Sequence, residues 1–201
     1  IVWAMLSGDQ ETGVTVIHMT PGLDAGPMIV KSKWAIGEQE TCGELEVRLA
    51  AAGPSAVASA LAMLEKWDGV TVLGEKQDPA LVTKAPRISK AMGEIDWTKP
   101  ARQLALEVRA FQPWPGSFSF LVKEGKEPLR VAFTSVIAEA SDGLSTAPGY
   151  VVSVAKDHFS VATGKDILRV NALQPAGKKT MQASEFLRGH PMAVGMRFAE
   201  C

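Results

Sequence analysis

Residues 13–30 constrain the fold more than any other part of the chain. An apolar run (Gly13-Val14-Thr15-Val16-Ile17-His18-Met19) is followed by a turn punctuated by Pro21, Gly22, Gly26 and Pro27, then by a second apolar run from Met28. Both runs are rich in β-branched residues and of strand length, so the stretch reads as strand, turn, strand. Alternation puts Val14, Val16 and His18 on one face and Thr15, Ile17 and Met19 on the other. His18 is read as a packed or rim histidine. Asp24 is the carboxylate of the turn. An aspartate in a tight turn commonly bonds its own backbone two residues on, so it has a structural reading beside any chemical one.

Downstream, Thr41-Cys42-Gly43-Glu44 has the spacing of a capping box. Leu45, Leu49 and, past Gly53-Pro54, Val57, Leu61 and Leu64 continue as one apolar stripe. Pro54 is expected to divide that stripe into two helices. Strand, turn, strand, then helices fits the closing half of an α/β layer. From Asp68 to Trp97 glycines and prolines interrupt every period, leaving a linker with one short strand expected at 70–73. Lys84, Arg87 and Lys90 lie there with no acid between Asp78 and Glu94. They make either a solvated loop or a phosphate clamp.

A helix with Leu104, Val108 and Phe111 on one face follows, and Gln112-Pro113-Trp114-Pro115-Gly116 stops it. Arg102 and Arg109 share a face, and Trp114 is read as a rigid packing element. Short strands are expected at 117–123, 129–138, 149–155, 159–163 and 167–173, with Glu124-Gly125-Lys126 in the first turn. About five such strands suggest a small closed barrel of the oligonucleotide-binding type, since closure removes exposed edges. Lys178 and Lys179 are adjacent cations in a Gly/Pro loop, a type of site that binds phosphate.

Composition narrows the class. The chain has 201 residues, 46% hydrophobic and 21% charged, so a packed core is expected rather than disorder. No apolar run is expected to approach the roughly 18–20 residues of a membrane span. Residues 1–6 read as the tail of an amphipathic helix, not as a signal peptide. Two distant cysteines, Cys42 and Cys201, point to a reducing, cytoplasmic setting. Cys42 follows a helix cap, which favours a thiolate, but no activating base accompanies it. His158 and His190 read as exposed and without a role, and no metal-ligand spacing occurs. Residues 1–70 carry nine acids against four bases, and the rest carries thirteen acids against seventeen bases. A basic second half is a modest pointer to a phosphate-bearing partner.

Four phrases in order carry a resemblance. They are Gly8-Asp9-Gln10-Glu11-Thr12-Gly13-Val14-Thr15 with Gly22-Leu23-Asp24-Ala25-Gly26-Pro27, Arg87-Ile88-Ser89-Lys90 leading to Glu94-Ile95-Asp96-Trp97, Arg109 to Gly116, and Leu173 to Met181. The chain resembles the 10-formyltetrahydrofolate-dependent formyltransferases, and among them the branch that acts on initiator methionyl-tRNA. The resemblance implies the closing portion of a Rossmann-like catalytic domain (1–68), a linker (69–98) and an OB-like tRNA-binding barrel (99–201). It implies Asp24 as the catalytic aspartate, with Gly22, Leu23, Asp24 and Ala25 near the folate. It implies tRNA contacts at Lys84, Arg87, Lys90, Arg102, Arg109, Lys178 and Lys179, no metal, and a monomer at full length. The family's catalytic Asn and His lie upstream of these phrases, so the chain is expected to be an inactive piece of a longer polypeptide. Two alternatives stay open: a folate-dependent formyltransferase or hydrolase acting on a small amine, and a non-catalytic RNA-binding barrel.

Overall fold

In the computed structural model the described residues are 1–123, 125, 127–141, 143 and 145–199. Glu124 and Lys126 of the expected first barrel turn, and Cys201, lie outside them. The elements in order are α1 (Val2–Ser7), β1 (Glu11–Ile17), β2 (Met28–Ala35), α2 (Cys42–Leu64), α3 (Ala101–Ala110), β3 (Ser117–Val122), β4 (Leu129–Glu139), β5 (Val151–Val154), β6 (Phe159–Ala162), β7 (Ile167–Pro175), β8 (Met181–Gln182), α4 (Ala183–Gly189) and β9 (Arg197–Ala199). They fall into two units. Ile1 and Asp9–Pro86 form one, and Val2–Gly8 with the chain from Arg87 onward form the other.

In the first unit β1 and β2 make the expected antiparallel hairpin, with Glu11 opposite Ala35 and Val16 opposite Val30. The register shifts between Val16 and Ile17, so Ile17 faces Met28 at the mouth of the turn. The capping box of α2 forms: Glu44 N donates to Thr41 Oγ1 at 3.4 Å, and Thr41 N donates to Glu44 Oε2 at 2.9 Å. The Thr41 amide, and the Thr41 hydroxyl that also donates to Oε2 at 2.8 Å, hold the Glu44 carboxyl below its usual range. Burial pushes the Cys42 thiol up, against the thiolate its cap position suggested.

The division of α2 at Pro54 does not occur, because the helix runs unbroken from Cys42 to Leu64 with Pro54 inside it. Proline removes one backbone donor but its fixed φ is helical, and the flanking turns retain their bonds. Leu45, Leu49, Ala56 and Ala60 are buried, while Val47, Val57, Leu61 and Met63 are exposed. The unbroken alanine-rich helix reaches a mean hydropathy of 1.5 over 18 residues, long and apolar enough to cross a membrane by length and composition. A break at Pro54 would have left two segments each too short to do so. The strand expected at 70–73 is absent; that stretch is bends and coil.

In the second unit α1 lies on α3, where Gln103 Nε2 donates to Leu6 O at 3.3 Å. Leu104 and Val108 of α3 are fully buried, as their spacing indicated. The expected strands all form, and two short ones, β8 and β9, join them. The sheet runs β5-β6-β7-β4-β3-β9, with β8 paired to β7. β9 then bonds the chain entering β5: Val151 N donates to Met196 O at 2.7 Å and Phe198 N to Gly149 O at 2.8 Å. The sheet thereby curls into a nearly closed barrel. β4 bends twice, where the register shifts between Phe133, Ser135 and Val136, and such bulges increase curvature.

The barrel core is aromatic. Phe133 and Phe198 centroids lie 5.4 Å apart, Trp97 and Phe133 5.6 Å, and Phe159 stacks on Phe198 at 6.0 Å. Trp97 Nε1 donates to Ser119 Oγ at 3.1 Å, and Ser119 Oγ donates to Ala199 O at 2.9 Å, so the buried indole is satisfied. Ile95 and Trp97 lie within the stretch expected as linker, yet both are core residues of this unit. Truncating Phe133 to Ala should lower the unfolding free energy by about 3–5 kcal/mol in urea denaturation of the barrel's transition. An unchanged midpoint would contradict this account of the core.

Candidate functional site

The Asp24 loop is shaped by its backbone. His18 N donates to Pro27 O at 2.9 Å and closes the loop. Gly26 lies against His18 so closely that an added Cβ would sit 1.7 Å from the His18 carbonyl oxygen, and only glycine fits. Asp24 has a φ of 51°, a left-handed conformation that aspartate tolerates better than most residues. Gln77 reaches in from 53 residues downstream. Its Nε2 donates to Asp24 O at 2.6 Å and to Gly26 O at 2.8 Å. The Gln77 region is itself fixed to β2, with Met28 N to Glu75 O at 2.8 Å and Glu75 N to Met28 O at 2.9 Å. Lys31 forms an ion pair with Glu75 beside these bonds.

Within this frame Asp24 is exposed and, among the described residues, its carboxylate makes no hydrogen bond or ion pair. The local side-chain-to-backbone bond that turn aspartates usually make is not formed. Gly22, Leu23 and Ala25 are exposed around it, Leu23 at 93%. A free carboxylate beside an exposed apolar side chain can meet a flat aromatic ligand and handle charge next to it. His18 packs edge-on against Trp67, with centroids 5.0 Å apart. Trp67 Nε1 donates to Thr71 O at 2.7 Å. The amides of Val70 and Thr71, together with the Thr71 hydroxyl, hold the Asp68 carboxyl below its usual range.

The candidate RNA-facing cations divide between the units. Lys84 is exposed in the coil of the first. In the second, Arg87, Lys90 and Arg102 are exposed, and Arg109 is half-buried with contacts of its own. Lys178 and Lys179 are exposed in the turn after β7, shaped by Gln174 Nε2 donating to Lys178 O at 2.8 Å. Trp114, expected to pack, is 57% exposed. His190 is not idle: it stacks on Phe186 at 4.7 Å, and its Nδ1 lies 3.2 Å from Lys123 Nζ. Among the described residues no group of three or more His, Cys, Asp or Glu could hold a metal.

Two family profiles match in sequence order. One, described as formyl transferase, covers residues 1–61, and the other, formyl transferase C-terminal domain, covers residues 87–191. The chain belongs to the formyl transferase family.

Among its relatives in the family are the methionyl-tRNA formyltransferase of Rhodopirellula baltica, 44% identical over 96% of this chain and 58% of the relative, and that of Chromobacterium violaceum, 39% identical over 96% and 59%. The chain therefore spans a little under three fifths of the length of these relatives. Solved structures with the same fold include HypX from Aquifex aeolicus in complex with tetrahydrofolic acid, with a TM-score of 0.61, 16% identity and coverage of 96% of this chain and 33% of HypX. Another is WlaRD, a sugar 3N-formyl transferase, with a TM-score of 0.57, 16% identity and coverage of 89% and 60%.

Gln77 gave no signal in the sequence, because a lone amide in an aperiodic stretch looks like any loop residue. Changing Gln77 to Ala should speed amide exchange at residues 22–26, leave residues 30–35 unchanged, and cost about 1 kcal/mol of stability. Unaltered exchange in the loop would show that the amide is not what holds it.

Proposed function

We propose that the full-length protein transfers a formyl group from 10-formyltetrahydrofolate to the amino group of methionyl-tRNA, in support of translation initiation. The observation that carries this reading is the identity of 39–44% with relatives named methionyl-tRNA formyltransferase, sustained over nearly the whole chain. The fold likeness to a tetrahydrofolate-bound structure supports a folate donor.

The reaction is acyl transfer. The amine attacks the formyl carbon and sheds a proton, and the oxyanion of the tetrahedral intermediate needs donors. Collapse breaks the bond to the folate N10, which takes up a proton as tetrahydrofolate leaves. In this reading Asp24 is the family's aspartate, which orients and charges a histidine and moves protons through water. Its carboxylate is free to do so because Gln77 and Gly26 fix the loop through backbone carbonyls instead. Gly22, Leu23 and Ala25 form the exposed rim against which a pterin would lie. The second unit, a barrel of the oligonucleotide-binding type, would hold the acceptor arm chiefly by phosphate contacts, with Arg87, Lys90, Arg102, Arg109, Lys178 and Lys179 as candidates and Lys84 in the first unit. The same reading makes the full-length protein a cytoplasmic monomer.

The test supplies the full-length protein with 10-formyltetrahydrofolate and either methionyl-tRNA or an amino-sugar nucleotide. Formylmethionyl-tRNA should form with kcat/KM at least about 100-fold above that for the sugar substrate, in the range that separates a specific substrate from an incidental one. Preferential formylation of the sugar would overturn the tRNA assignment while leaving the family intact.

A further inference from the structure

The seam where β9 meets β3 and the entry to β5 has its own surface relief. A shallow concavity of about 630 Å³ opens there, lined by Val122, Lys123, Tyr150, Pro191, Met196 and Arg197 among others. The strand pairing builds it. Arg197 faces Val122 of β3 on one side and Tyr150, at the entry to β5, on the other. Lys123 follows Val122 directly, so the ammonium, the guanidinium and the phenol come from three segments meeting at one seam.

The electrostatics of the seam are one-sided. Among the described residues the lining contains no carboxylate, and neither Lys123 nor Arg197 forms an ion pair. Lys123 donates instead to the imidazole of His190. Burial, with Lys123 and then Lys178 nearby, pushes the His190 pKa down, so at neutral pH its ring is an uncharged acceptor. Among the described residues that leaves two cations without a counter-charge at one open concavity, Arg197 exposed and Lys123 half-buried, and like-signed charges lining a cleft raise its positive potential. A guanidinium fork, an ammonium and a phenolic hydroxyl together offer donors matched to the acceptor oxygens of a phosphate. The concavity is open and shallow, which suits a phosphate carried on a polymer better than an enclosed small anion.

We propose that this closing seam is a phosphate-binding groove, in which Lys123, Arg197 and Tyr150 hold a backbone phosphodiester of the RNA substrate. The inference rests on the reading that the protein acts on an RNA. It assigns contacts to residues that the sequence reading did not select.

The experiment measures tRNA affinity of the full-length protein between 50 and 200 mM salt, for the parent, a Lys123→Ala/Arg197→Ala double variant, Tyr150→Phe and Arg197→Lys. The double variant should bind about tenfold more weakly at 100 mM salt and lose about one unit of the log–log salt slope, for the one phosphate left without its cations. Arg197→Lys should keep the parent slope, and Tyr150→Phe should weaken binding without changing it. Unchanged thermal midpoints separate these effects from misfolding. A parent slope in the double variant would overturn the groove and leave the tRNA reading standing, whereas no tRNA binding by the parent at low salt would overturn both. If inorganic phosphate shifts the His190 imidazole resonances and tRNA does not, the occupant is a small anion and the RNA assignment fails.

Discussion

The Asp24 loop of the first unit depends on one amide group. Gln77, from 53 residues beyond Asp24, ties the carbonyls of Asp24 and Gly26 together. Two neutral hydrogen bonds contribute about 1–3 kcal/mol together, which is modest against a whole fold but large for ten residues of turn. Because the clamp acts on backbone, it leaves the Asp24 carboxylate uncommitted. A carboxylate held by its own ion pair would be well placed but already satisfied. Here position and availability come from different groups, and that separation lets an exposed acid sit in a fixed place.

Closure plays the corresponding role in the second unit. A three-residue strand, β9, bonds β3 on one side and the entry to β5 on the other, and carries Phe198 into the aromatic core. Without it the sheet would have two free edges, and Phe133, Trp97 and Phe159 would lose a shared neighbour. The residues flanking Phe198 point outward and bring Arg197 beside Tyr150. Packing of one face thus dictates which charged groups are displayed on the other.

Local patterns were legible in the sequence. The hairpin followed from β-branched runs around a glycine- and proline-rich turn, α2 began where Thr41 and Glu44 said it would, and α3 buried the face that Leu104 and Val108 marked. The five longer barrel strands showed as regularly spaced runs. What could not be read depended on distant neighbours. Pro54 lies inside a helix because the turns on either side hold it there. Ile95 and Trp97 look like linker residues until the barrel supplies their contacts, and β9 is too short to have a period. Asp24 could be singled out by resemblance, but that its carboxylate would be free, and that Gln77 would secure its loop, required knowing which segment folds back onto β2. Lys123, Tyr150 and Arg197 are far apart in the chain, and only the closed sheet makes them neighbours.

The account stands most directly on the work assigned to the Asp24 carboxylate. Single-turnover formyl transfer by the full-length protein should be compared for the parent and Asp24→Asn, which preserves size and the left-handed turn while removing the charge. The variant should react about 10²–10⁴-fold more slowly, with tRNA affinity unchanged. A rate within about twofold of the parent, inside the scatter of an uninvolved surface change, would contradict the account.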